Sequence, residues 1–140
     1  MFVHLNTHSI YSPMRGLLSL PEMMDLAKSC SMDTLALTDV NGLWGFIRFV
    51  QHCRSSRINP IAGVNLITNK QEVLILVENQ YGYENLCRII SSMHDDPNGD
   101  ISDILRKYHA GVFVFGYDIS ILKELSSFIP NSHLFVELRP

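Results

Sequence analysis

Asn6 and His8 stand two residues apart in the run F-V-H-L-N-T-H-S-I-Y-S at positions 2–12. A strand sends alternate side chains to opposite faces, so this spacing puts both on one face, with Thr7 on the other. Polar, ligand-type groups paired on one face of an opening strand look like the start of a metal site. One of them, however, is an amide where a metal would want a second imidazole. In folds that alternate strands and helices, chemistry sits at the C-terminal ends of strands. The residues placed there are Asn6, His8, Asp39, Val40, Asn65, Tyr117 and Asp118.

Each candidate has a plainer reading. His8 suits a buried, hydrogen-bonded strand end, and His4 a packed position deeper along the same strand. Asp39 suits a cap for a helix opening near Asn41-Gly42, or a partner for Arg15. His52, His94, His109 and His133 show no ligand spacing and read as surface residues. Asp95, Asp96, Asn98 and Asp100 have the wrong spacing for a calcium loop, and Pro97 interrupts them. Trp44 and Phe46 read as core or interface rather than a base-stacking platform.

The elements that must carry these residues alternate along the chain. Strand signals cover 2–8, 34–38, 59–67, 73–77, 112–115 and 133–138. Helical spacing covers 20–31, 43–53, 83–92, 101–108 and 119–127. Ser19, Pro21 and Glu22 mark the first helix start, with Leu20, Met23, Met24 and Ala27 inward. Phe46, Ile47, Phe49 and Val50 are the expected inward face of the second helix. Asp95 to Asp100 is the clearest loop. The alternation predicts an α/β fold of βαβ units with mainly parallel strands.

With 140 residues, 46% of them hydrophobic, the chain suits one ordinary globular domain. A net charge of −3 gives no basic excess with which to clamp nucleic acid directly. No apolar run approaches the roughly 20 residues of a membrane span, and the opening segment reads as strand rather than secretory signal. Cys30, Cys53 and Cys87 read as buried free thiols, which points to a reducing, cytoplasmic setting. The strand-like run ending at Leu138 makes Pro140 an odd place for a natural terminus, so a fragment of a longer protein is expected.

Three segments resemble a known family: residues 2–12, A-L-T-D-V-N-G-L-W-G at 36–45, and P-I-A-G-V-N at 60–65. In this order they are similar to the amino-terminal PHP (polymerase and histidinol phosphatase) domain of bacterial DNA polymerase III alpha subunits. E-N-Q-Y-G-Y-E-N-L-C-R-I-I-S at 78–91 and L-F-V-E-L-R-P at 134–140 favour the polymerase branch. The resemblance implies that residues 1–140 are the amino-terminal portion of a PHP domain, the first half of a distorted seven-stranded (β/α) barrel. Active members hold metal ions that polarise phosphoryl oxygens and supply a bound hydroxide.

Against that pattern, the first His-x-His reads Asn6-x-His8. Arg15 stands at an acidic position, Asp39-Val40 replaces Asp-His, and Asn65 replaces Glu. Glu72 aligns with a His, and Tyr117 or Asp118 with a Cys. Only His8 and Asp39 are retained, so neither a catalytic residue nor a cofactor is expected in residues 1–140. Arg15 is expected to take the vacated cation position and pair with Asp39. The resemblance implies a non-catalytic, structural and docking role in DNA replication. The parent would be a DNA-directed DNA polymerase, a nucleotidyltransferase. Its partners would be the rest of the polymerase chain and a proofreading exonuclease or other replisome subunit. DNA would be met only through the parent and no membrane would be bound; open sheet edges would favour a homodimer. The alternative is a metal-dependent phosphoesterase or 3′–5′ exonuclease retaining Zn or Mn on His8, Asp39, Glu72 and Asp118.

Overall fold

The structure, a computed structural model, describes residues 2–139. The chain divides into two compact units, residues 1–64 and 65–140.

In the first unit, Ser19 opens helix α1 (Leu20–Ser29): its backbone N–H and hydroxyl both donate to the Glu22 carboxylate, at 2.8 and 2.6 Å. Leu20, Met23, Met24 and Ala27 are buried against strand β1 (Thr34–Leu37) and helix α2 (Phe46–Ser56). Phe49 and Cys53 are the buried residues of α2, while Ile47, expected inward, is exposed. Residues 43–45 turn rather than coil, so α2 starts three residues later than its periodicity predicts. Strand β2 (Asn59–Ile67) pairs with β1 in parallel, from Thr34 opposite Asn59 to Leu37 opposite Ala62.

The strand predicted at 2–8 forms no ladder, and the chain bends at Asn6. It does run beside β1: Ala36 N–H donates to His4 O at 3.1 Å, and Thr38 N–H to Thr7 O at 2.9 Å. Between those bonds one side advances three residues and the other two. The Thr7 hydroxyl takes the Ala36 carbonyl, and Thr38 Oγ1 accepts the Thr7 N–H at 2.9 Å. Threonine side chains therefore satisfy backbone groups that a regular strand would pair.

In the second unit the end of β2 turns back through residues 68–71, closed by Thr68 N–H on Gln71 O at 2.9 Å, into β3 (Glu72–Val77). Helices α3 (Gln80–Asp95) and α4 (Ile101–Tyr108) lead to β4 (Val112–Gly116). Helix α5 (Ile119–Leu125) then leads to β5 (Leu134–Val136). Asn79, Asp100 and Asp118 cap the three helices, accepting from the N–H groups of Gly82, Ser102 and Ser120. β4 and β5 are parallel, but β3 and β4 are antiparallel, Val73 facing Gly116 and Val77 facing Val112.

The expected mainly parallel arrangement thus gives way to a mixed one, for two reasons. The turn after β2 is too short for a crossover, so β3 must reverse. Two helices then separate β3 from β4; the second undoes the excursion of the first and returns the chain to the end that it left. Leu86, Ile89, Ile101, Leu105, Val114 and Leu125 fill the core of this unit. Among the described residues no helix is long and apolar enough to cross a membrane.

Candidate functional site

In the first unit, the segment 2–8 and α1 line an open pocket of about 380 Å³. His4, Asn6, Thr7, His8 and Arg15 line its polar side; Leu18, Met23, Leu26, Met32 and Leu35 line its apolar side. Asn6 and His8 line it together, and so does Thr7, which strand alternation would put on the opposite face. His4 joins them as an exposed residue, its ring edge-on to Phe2 at 4.8 Å between centroids, rather than as packed core.

Asp39 follows β1 and is 2% exposed. Its Oδ1 accepts from Ser9 N–H at 2.8 Å and from the Ser12 hydroxyl at 2.6 Å; its Oδ2 accepts from the Ser9 hydroxyl at 2.8 Å. Ser12 Oγ also accepts the Val40 N–H at 2.9 Å. Asp39 is therefore neither a helix cap nor a site for Arg15. The turn through Ser9 and Ser12 folds over it, and two hydroxyls and an amide take the oxygens that the Arg15 guanidinium was expected to take. Arg15 is exposed, at the pocket.

In the second unit the ends of four strands meet. Asn65 lies two residues before the end of β2, Glu72 opens β3, Tyr117 follows β4 and Glu137 follows β5. The antiparallel reversal of β3 is what puts its first residue beside the last residues of its neighbours. Arg139 reaches into this group. Its guanidinium donates to both Glu72 oxygens, at 2.9 and 3.4 Å, and to Glu137 at 3.0 Å; it lies 3.8 Å from the Tyr117 ring centroid. Asn65 Nδ2 donates to Glu72 Oε1 at 3.0 Å. The Glu72 hydrogen bonds push the guanidinium above its already high pKa, against the pull of desolvation, so it stays a cation throughout the working range. Asp118, offered by the alignment as an equal candidate with Tyr117, caps α5 instead.

Residues 4–138 match the PHP domain family. The chain belongs to that family.

This PHP chain is 30% identical to the DNA polymerase III subunit alpha of Borreliella burgdorferi, covering 79% of the chain and 11% of that protein. It is 31% identical to the subunit of Bacillus subtilis, with the same two shares. The chain thus spans about a tenth of the length of these relatives. Among solved structures, a Bifidobacterium adolescentis protein assigned as a metal-dependent phosphoesterase superposes with a TM-score of 0.58 at 10% identity. The match covers 96% of this chain and 75% of the other. An amidohydrolase from Chromobacterium violaceum, solved with sulfate and no metal, gives 0.57 at 14%, with the same coverage. Both share the PHP-like α/β fold.

At the positions where the resemblance implies ligands, the side chains are poor donors for a metal cluster. Asn6 and Asn65 offer neutral amides, Val40 offers no side-chain donor, and Arg15 brings a positive charge. The carboxylate of Asp39 is taken up by serines and that of Glu72 by Arg139. Among the described residues no three His, Cys, Asp or Glu side chains converge where they could hold a metal ion.

Ser9, Ser12, Glu137 and Arg139 went unrecognised as site residues. The serines carried a signal: S-x-x-S follows the first strand, and short hydroxyl side chains in a turn favour local hydrogen bonding. Arg139 has Glu137 two residues away, but its main partner Glu72 lies 67 residues away, beyond the reach of any local pattern. His133, read as a surface residue, stacks on Phe113 at 4.8 Å and approaches Glu78 at 3.4 Å. Cys30 is exposed and Cys87 intermediate, so only Cys53 is buried as expected.

Proposed function

We propose that this PHP domain is a non-catalytic module of a DNA polymerase III alpha-type chain. It braces the rest of that chain and offers a docking surface to a proofreading exonuclease or another replisome subunit. The observation that carries this reading is the enclosure of Asp39. A carboxylate with three protein hydrogen bonds and 2% exposure serves as a structural group rather than as a ligand to a metal that would polarise a phosphoryl oxygen. The similarity to polymerase alpha subunits over most of the chain supports the parentage.

On this reading nucleotidyl transfer belongs to other parts of the parent chain, which works in the cytoplasm. Strands β1 to β5 belong, on the same reading, to a distorted seven-stranded barrel.

The test is metal content and hydrolysis together. Protein purified without chelators and analysed by atomic emission should carry no stoichiometric zinc or manganese. A chromogenic phosphodiester with either metal added should turn over at the buffer rate. Stoichiometric metal with a rate lost in His8→Ala would establish instead the metal-dependent phosphoesterase or 3′–5′ exonuclease.

A further inference from the structure

We infer that the Arg139 guanidinium is a built-in cation at the strand ends of the second unit, clasping the positions that in metal-bearing PHP domains converge on a metal. This deepens the non-catalytic reading above and rests on it for the idea that these positions no longer serve a metal.

The geometry is that of a coordination site read in hydrogen bonds. Asn65, Glu72 and Tyr117 are positions at which the resemblance to the family implies ligands, Tyr117 as the alternative to Asp118, and they stand at or near the ends of three successive strands. Where an ion would draw their donors together, the guanidinium does so. Two nitrogens face the two Glu72 oxygens as a fork, one of them also reaches Glu137, and the flat face stacks on Tyr117. A planar cation with five donors suits this set: two carboxylates in its plane and a ring on its face. Asn65 completes the arrangement from the other side, turning its amide N–H₂ to Glu72 where a second carboxylate would repel it. The Glu72 side chain is 10% exposed, so its charge is largely withdrawn from water and needs a fixed partner.

Arg139 lies two residues beyond Glu137 on the segment that follows β5. Its grip therefore fastens that segment to the start of β3. A metal-built site loses its clasp to a chelator; a covalently attached guanidinium does not, and its grip weakens only when acid protonates the carboxylates that it pairs with.

A double-mutant cycle on the full chain tests this. Arg139→Ala and Glu72→Gln should each lower the thermal midpoint, Arg139→Ala by about 5 °C. The double variant should lose clearly less than the sum of the two. Should Arg139→Ala fail to fold, Arg139→Lys takes its place in the same cycle, because it keeps the charge and removes the fork and the stack. Additive losses in the cycle that folds would overturn the clasp while leaving the non-catalytic reading intact. Thermal scans of the wild type with millimolar manganese or zinc separate the two ideas: an unmoved midpoint is expected. A rise of several degrees that also appears in Arg139→Ala would overturn the non-catalytic reading together with the inference.

Discussion

Asp39 is a buried carboxylate held by its own chain. With Ser9 and Ser12 folded over it, the side chain ties the first turn of the chain to the end of β1. Asp39→Ala strands two hydroxyls and an amide N–H in a dry pocket and should cost about 3 kcal/mol, measured by urea unfolding. Asp39→Asn should cost less, because its carbonyl still accepts on one side. Cys53 makes a second case. Burial pushes its thiol up to about 11, whereas Cys30 is exposed. A disulfide reagent at pH 8 should therefore label Cys30 in the folded protein and Cys53 only after denaturant is added, as peptide mass spectrometry would show.

The helices owe their ends to local chemistry that can be tested element by element. The Ser19 hydroxyl and N–H hold the Glu22 carboxyl below its ordinary value of 4.5. A lowered folded value means stability that is present above the unfolded value and lost as pH falls through the folded one. Wild type should accordingly exceed Glu22→Gln in stability at neutral pH, and the two unfolding curves should converge in acid. Helix α3 is placed by a close approach rather than a cap alone. A Cβ on Gly82 would stand 1.7 Å from the Gly111 carbonyl oxygen, and Gly111 itself sits at φ +75°. Gly82→Ala must push α3 away from that backbone and should cost about 2–3 kcal/mol, far from the mild gain that Ala brings to an open helix position. Thermal unfolding of the single variant checks this.

The sheet leaves apolar side chains uncovered at its last strand. Phe135, Val136 and Leu138 are 40%, 64% and 90% exposed, and β5 pairs with β4 on one side among the described residues. An edge of this composition pairs with other chains. Light scattering at micromolar concentration should give a mass above the monomer, and Val136→Lys should bring it down. A wild-type protein that stays monomeric across that range would show that the edge is protected in another way.

Much of this could be read along the chain. The alternation of strands and helices, the cap at Ser19, and the poor donors at Asn6, Val40 and Asn65 are matters of residue type and period, which act over a few neighbours. Partnership was not legible. The two serines that hold Asp39 lie 30 and 27 residues from it, and Arg139 lies 67 from Glu72. Neither residue type nor spacing says which cation meets which acid, so Arg15 was assigned the role for which the fold uses Arg139. The direction of β3 was hidden for the same reason: strand signals do not carry polarity. A four-residue turn and a pair of helices set it, and with it the meeting of strand ends on which the second cluster depends.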